Sequence, residues 1–594
     1  MKHTAIWKKA MAAILVACLF VLSGCGVVSQ IVGSDTSATA DSSASSSSSS
    51  SGETYSASSA STAEDAEDSK VEITDSFAIT TDVENGYTQS GNVYTITAAG
   101  EYTLSGALSD GQIRVEAGDD DEVTLILSGT SVTCSTDSPI YIQNADKVKI
   151  KAEAGTYNEI IDARALQTDD TDETGSAAIY AECDLNLVGS GKLVVTASYN
   201  NGIHTKDDLK IKNLTLKVTA PNNALKGNDS LTVESGNIIA VSTAGDALKT
   251  ENSNISDNTG KQRGAITISG GTLELYAGCD GIDASYNVDI SGDETSILIY
   301  TNSYSSYTID SLKTTKTSST SRTSGFGSMG SSTNTAKSSE SSKGIKADNA
   351  ITISGGTIEI YCKDDGIHAN NDVALENGAS PLGNITVSGG SITITAADDG
   401  IHADGTLQFD GGYVNVVDSH EGLEGHYINV NGGELHVYAT DDGVNATASG
   451  SNKSDGLITV TGGQLYVEVG GNDVDGIDSN GSYKQTGGIV VVSNPNADSS
   501  GNMSAVDVDS AVTVTGGLII ALGTVPSSGG GMGGGRFGMG GMNSASSLPS
   551  GYVTISGVTA GTHTVTYGET TGTFTLKKAV SAGWVWADGT YTLK

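Results

Sequence analysis

Across residues 94–523 short runs of alternating apolar and polar positions recur as one phrase of roughly 20 to 23 residues, a period typical of solenoids. Without its insertions the phrase reads D-G-I-x-A, a few residues, then I-T-V-x-G-G-x-I-x-I. Clear copies begin at Asn201, Asp280, Asp365, Asp399, Glu421, Asp442 and Asp475, and degenerate ones at Asn223, Asp246 and Ser504. Period-2 alternation predicts three strands per copy, for example around Gly366-Ile367, at 351–353 and at 358–360. Between them Gly355-Gly356, Gly389-Gly390, Gly432-Gly433 and Gly462-Gly463 supply corners at positive φ. With alternate residues turned inward, Ile367, Ile401, Leu423, Val444 and Ile477 stack as an aliphatic ladder. The predicted fold is all-β, a parallel β-helix of about fifteen coils and roughly 70 Å, at about 4.8 Å per coil. A four-stranded propeller blade does not fit in so short a repeat.

The ends follow other patterns. Lys2, Lys8 and Lys9 precede an apolar run over 10–22 that closes on Leu22-Ser23-Gly24-Cys25, a secretory signal with a lipidation box. Residues 1–24 are thus expected to be removed, Cys25 to carry lipid, and the chain to sit on the outer face of the cell membrane, held by that lipid alone. Residues 25–70 are rich in Ser, Ala and Thr and predict a disordered tether. The β-helix is assigned to 71–523, with a Ser/Thr-rich loop inserted at 302–342. A Gly/Met-rich loop follows at 524–549, and 550–594, with Trp584 and Trp586, predicts a C-terminal β cap over the rod's open end.

Composition sharpens this. The 594 residues include 76 Gly, only 6 Pro and 6 Cys, which excludes collagen and a disulfide framework. Cys134, Cys183, Cys279 and Cys362 read as buried single thiols. A formal charge of -39 argues against nucleic acid or anionic lipid as a direct partner. The acid is concentrated: residues 351–511 hold 23 Asp/Glu against Lys363, Lys453 and Lys484. Stacking places Asp365, Asp399, Glu421, Asp442 and Asp475 in one column, with Asp364, Asp398 and Asp441 beside it. Carboxylates about 4.8 Å apart repel unless a cation lies between them, and an all-oxygen donor set on turns suits calcium. Each Asp-Gly alone would be an ordinary turn.

Two residues after that aspartate, His204, His368 and His402 alternate along the coils with Lys226, Lys249, Lys346, Asp283, Glu424 and Asp478. This second column is expected to face outward as a polar stripe that meets ligand through His368, His402, Glu424 and Asp478; a zinc site from His368, His402 and an aspartate is the alternative. Tyr276, Tyr300, Tyr361 and Tyr438 recur near the ends of third strands and suit either sugar stacking, with Tyr361 and Tyr438 as candidates, or a ladder between coils. No nucleophile-elbow, Walker or H-E-x-x-H motif occurs.

Glu101-Tyr102-Thr103-Leu104-Ser105-Gly106, Tyr199-Asn200-Asn201-Gly202-Ile203, Asp398-Asp399-Gly400-Ile401-His402-Ala403-Asp404-Gly405, Glu421-Gly422-Leu423-Glu424-Gly425 and Asp475-Gly476-Ile477-Asp478-Ser479-Asn480-Gly481 carry a resemblance. Over 71–523 the chain resembles the carbohydrate-binding β-helix lipoproteins of Gram-positive bacteria. That resemblance implies a right-handed parallel β-helix related in shape to pectate lyases, bound calcium, and binding of plant cell-wall polysaccharide, acidic pectin-like chains included and cellulosic chains also weighed. Calcium at the aspartate column would bridge to uronate carboxylates. Three functions are weighed: a non-catalytic polysaccharide binder acting as a single chain, a lyase, and an adhesin stalk. Lyases of this shape take the C5 proton with Arg or Lys, for which Lys226, Lys249 and Lys346 are the candidates. The most acidic coils lack such a residue, so the binder is favoured and no catalytic residue is assigned.

Overall fold

The computed structural model describes residues 55–167, 174–301, 341–372, 374–376, 378–451, 453–471, 474–497, 503–525 and 548–594. Cys25, the signal segment and nearly all of both long insertions lie outside the described residues. Residues 54–594 form one compact unit. It is a parallel β-helix, with no α-helix among the described residues.

Each coil contributes three strands, and each strand pairs in parallel with its equivalent in the next coil. On the first face fifteen strands stack among the described residues, from Val93–Ile96 to Val506–Val508. Ile345, Ile367, Ile401, Leu423, Val444 and Ile477 stand opposite one another in register and are fully buried. Burial of each such side chain contributes about 1.5–3 kcal/mol, and the ladders merge into one continuous core. The Gly-Gly corners hold their second glycine at positive φ, +84° at Gly433. A Cβ there would meet the Gly412 carbonyl oxygen at 2.8 Å, because consecutive corners stack backbone on backbone.

The C-terminal strands do more than plug an end. Val580–Ala587 pairs antiparallel with Ala511–Leu522 of the last coil. From there Gly561–Tyr567, Thr570–Leu576 and Tyr591–Leu593 form a small sheet that folds back along the outside of the third strands, packing Val565, Phe574 and Leu576 on Tyr466, Val491 and Ile520.

The composition of 25–70 predicts a free tether, and for 55–70 the structure differs. This segment runs along the third-strand face, across successive coils. Its backbone N–H groups donate to rod side chains: Ala63 to Glu274 at 2.8 Å, Ser61 to Ser296 at 2.7 Å, Ser58 to Ser391 at 3.1 Å. Lys217 Nζ reaches Asp65 at 2.8 Å and Ala66 is buried against Tyr157 and Val194. Small residues make this strap possible, since the backbone itself is the bonding group.

Candidate functional site

The turn aspartates stack through their own backbones. The N–H groups of Gly366, Gly400, Gly422 and Gly443 donate to the carbonyls of Asp399, Glu421, Asp442 and Asp475 in the next coil, at 2.8–3.0 Å. The column extends backward through Asp365, Lys343, Asp280 and Asp246. Beside it, register aligns Lys226, Lys249, Asp283, Lys346, His368, His402, Glu424, Asn445, Asp478 and Asp507 one above the next.

The predicted outward stripe is sunk in part: His204, Lys226, Asp283 and His368 are buried, while His402, Glu424 and Asp478 stay partly exposed. The reason is charge pairing, which draws neighbouring side chains over these positions. Lys226 Nζ pairs with Glu251 at 2.9 Å, and Lys249 Nζ lies between Asp246 at 2.8 Å and Asp283 at 2.5 Å. Lys346 shares Asp283 at 3.0 Å, and Lys343 holds Asp364 at 2.9 Å and Asp365 at 2.6 Å. Burial alone would lower the pKa of Lys249, Lys343 and Lys346, but the facing carboxylates outweigh it and hold all three above the usual lysine value.

Two imidazoles come next. The His368 and His402 rings stack with centroids 4.3 Å apart. His368 Nδ1 meets Asp365 at 2.5 Å, and His402 Nδ1 meets Asp399 at 3.3 Å. Asp404 faces both Nε2 atoms, at 3.5 and 3.3 Å. Burial opposes protonation, yet these carboxylates prevail: His402 is pushed up to about 11 and His368 is raised. Despite their own burial, Asp365 is held below the usual carboxylate range by His368 and Lys343, and Asp404 by His368 and His402. Asp365, His368 and His402 bring donor atoms within 4.8 Å, as the zinc alternative requires, although both Nδ1 atoms face carboxylates.

Beyond His402, no salt bridge to an ammonium or guanidinium joins Glu421, Glu424, Asp442, Asp475 or Asp478 among the described residues, and the nearest cation is His402, 3.7 Å from Glu424. Burial first, with neighbouring carboxylates adding to it, raises Asp442 to about 6, Glu424 and Asp475 to about 7, and Glu421 and Asp478 to about 8. Asn445 Nδ2 donates to Glu421 Oε2 at 3.0 Å, while Asn445 Oδ1 is buried with no hydrogen-bond donor. An orphaned carbonyl oxygen amid carboxylates fits an oxygen-ligated cation of the calcium type. In the flanking row Asp398 is raised to about 6, by burial and then by Asp399, and His420 Nε2 lies 3.5 Å from Asp441.

Of the predicted residues, Glu421, Asp442 and Asp475 stand with Glu424 and Asp478 in this acidic stretch. Asp364 and Asp365 face Lys343, and Asp399 faces His402. Tyr361 lies on another face, in a ladder with Tyr300 and Tyr276 whose rings stack at 5.0 and 5.4 Å. Tyr438 is apart from that ladder, because its row passes from Tyr361 to Thr395 and Asp418 before reaching it; Lys577 Nζ sits 2.9 Å from its ring centroid. Sequence reasoning missed Lys343, Asp404 and Asn445. Asp404 had a signal, a second Asp-Gly two residues after His402. None of the four described cysteines forms a disulfide, and Cys279 is only half-buried.

Residues 90–383 and 379–473 match the family model described as carbohydrate-binding domain-containing protein. A carbohydrate-binding domain-containing protein of Acetivibrio thermocellus is 39% identical over 148 residues, 24% of this chain and 52% of the relative, so the chain spans about half the length of the curated relative it matches. The solved structure of the polysaccharide lyase-like protein from C. thermocellum, a gadolinium derivative, is similar at 38% identity over 37% of this chain and 86% of that one, with a TM-score of 0.34.

Proposed function

The chain belongs to the family of carbohydrate-binding domain-containing proteins, and from that premise we propose that it is a calcium-dependent, non-catalytic binder of acidic, pectin-like polysaccharide, lipid-anchored at the cell surface. The observation that carries the calcium reading is the buried, donorless Asn445 Oδ1, on a side chain that donates to Glu421 and stands in register between Glu424 and Asp478. These side chains would hold the ion, which supplies the positive charge that uronate carboxylates need in order to approach so acidic a face. The chain's own part is to fix the donors on stacked turns whose backbones are already hydrogen-bonded.

The lysines speak against the lyase. A base must be neutral to take a proton, and Lys249 and Lys346 are held in their charged form by Asp246 and Asp283. Lys226 is engaged by Glu251.

The test is incubation with polygalacturonate, with calcium or with chelator, following retention and the absorbance of unsaturated product. Retention abolished by chelator, with no product, is expected. Growth of absorbance would establish the lyase, and failure to retain any wall polysaccharide would favour the adhesin stalk.

A further inference from the structure

Between the lysine-bearing coils and the acidic ones stand His368 and His402, paired in register, each with its two ring nitrogens in different surroundings. On the Nδ1 side each imidazole has a carboxylate of its own, Asp365 for His368 and Asp399 for His402. A carboxylate only accepts, so Nδ1 carries the proton and, in a neutral ring, Nε2 carries the lone pair. Both Nε2 atoms face a third acid, Asp404, and the same oxygen of it: Oδ1 lies 3.5 Å from His368 and 3.3 Å from His402. The other oxygen, Oδ2, is already engaged, accepting the backbone N–H of Asn371 at 2.8 Å.

Those distances are long for hydrogen bonds, which close at about 2.7–3.2 Å. His368 is only 9% exposed, and its Nε2 is buried with no hydrogen-bond partner. The spacing is instead that of two ligands on one ion, since donors about 2.0–2.1 Å from a tetrahedral zinc stand about 3.4 Å apart. Each ring also has the outer support that metal-bound imidazoles use, a carboxylate on the second nitrogen that fixes the tautomer and aims the ring. His402 and Asp404 stay partly exposed, which gives an ion a way in and leaves a coordination position open to solvent.

Without an ion the surrounding carboxylates favour protonated imidazoles. Exchanging the two Nε2 protons for one dication leaves the net charge as it is, so the same carboxylates serve either occupant. The rings now stack with planes 16° apart, and converging their lone pairs on one ion turns them out of that stack.

We propose that His368 Nε2, His402 Nε2 and Asp404 Oδ1 form a site for a divalent transition metal of the zinc type, with water or a ligand oxygen in the fourth position. The site is distinct from the oxygen-only one at Asn445, because imidazole donors suit zinc, nickel or copper where carboxylates and carbonyls suit calcium. It stands whether or not the acidic coils bind calcium. The ion would tie strand Ile367–Ala369 to strand Ile401–Phe409 where the column passes from lysines to acids.

The test is calorimetric titration of the full chain with zinc, in an excess of calcium that occupies carboxylate-only sites. One equivalent binds, and His402→Gln and Asp404→Asn each weaken it at least about tenfold. Because either substitution can loosen the coil, the wild-type chain supplies an independent readout: crystals grown with one equivalent of zinc show an anomalous peak at the zinc edge about 2.0–2.2 Å from both Nε2 atoms and Asp404 Oδ1. The proposal is overturned if calcium displaces the zinc, if no single equivalent saturates, if both variants bind as the wild type does, or if the peak lies away from the two imidazoles.

Discussion

The coils around Asp246–Asp365 and those around Glu421–Asp478 share a backbone, a register and a column of turn acids, yet solve the same electrostatic problem in opposite ways. In the first group the chain supplies its own cations: Lys249, Lys343 and Lys346 sit between carboxylates at 2.5–3.0 Å. In the second the same stacked positions carry Glu424, Asn445 and Asp478, and the carboxylates are left raised into the neutral range. A turn geometry that repeats does not therefore make a repeated site. What differs is whether the stacked positions carry ammonium groups of the chain itself, although in the first group burial and neighbouring acids still raise Asp280 to about 7, and Asp246, Asp280 and Asp283 bring donor atoms within 4.8 Å.

The largest effect should come from removing a built-in cation. Lys249→Met strands Asp246 and leaves Asp283 to Lys346 alone, and breaking a buried pair of this kind costs about 3–5 kcal/mol. Urea unfolding in chelator should show that loss; a variant within 1 kcal/mol of wild type would mean the lysines are not what neutralises these coils. The converse change makes the second group resemble the first. Asn445→Lys places an ammonium where Lys249 and Lys346 stand in their coils, and should raise stability in chelator by about 1.5–3 kcal/mol, the worth of charge-assisted hydrogen bonds. Calcium should then cease to stabilise the chain.

The pH response is weighted towards the second group, with Asp280 of the first, raised to about 7, acting in the same direction. Glu421, Glu424, Asp475 and Asp478 titrate at about 7 to 8 in the folded chain, against about 4 when unfolded, so the folded state holds more protons across that interval. Their contribution is greatest at low pH and is lost as pH rises. His402, also raised, acts in the same direction above its unfolded value of about 6.5. In chelator the melting temperature should therefore fall from pH 5 to pH 8, and calcium should remove most of that slope. The smallest effect is expected on the face away from both columns: Tyr361→Leu should cost about 0.2–1 kcal/mol, the worth of a cross-strand pair, and leave polygalacturonate retention unchanged. Lost retention would return the tyrosines to the binding surface.

Much of this was legible in the chain. Period-2 strands, Gly-Gly corners and recurrent Asp-Gly turns define a coil, and any coil that buries its Ile must stack its Asp. The compensation was harder to see. Lys343 follows the 302–342 insertion, where the phrase reads Lys-Gly-Ile in place of Asp-Gly-Ile, so its place in the aspartate column emerges only from the backbone ladder. Asn445 looks like any turn residue until its oxygen is seen to lack a donor. The strap was hidden for another reason: 55–70 bury almost no side chain and bond through backbone N–H groups, which leave no signature in composition. The fold-back of the C-terminal sheet depends on packing between segments about a hundred residues apart.

The most direct measurement is anomalous diffraction from crystals of the chain grown in calcium. The ion should appear within about 2.3–2.6 Å of Asn445 Oδ1, among the carboxylates of Glu421, Glu424 and Asp478, with none beside Lys249 or Lys346. A peak in the lysine-bearing coils, or none at Asn445, would contradict the division of the column into a self-neutralised half and a calcium-binding half.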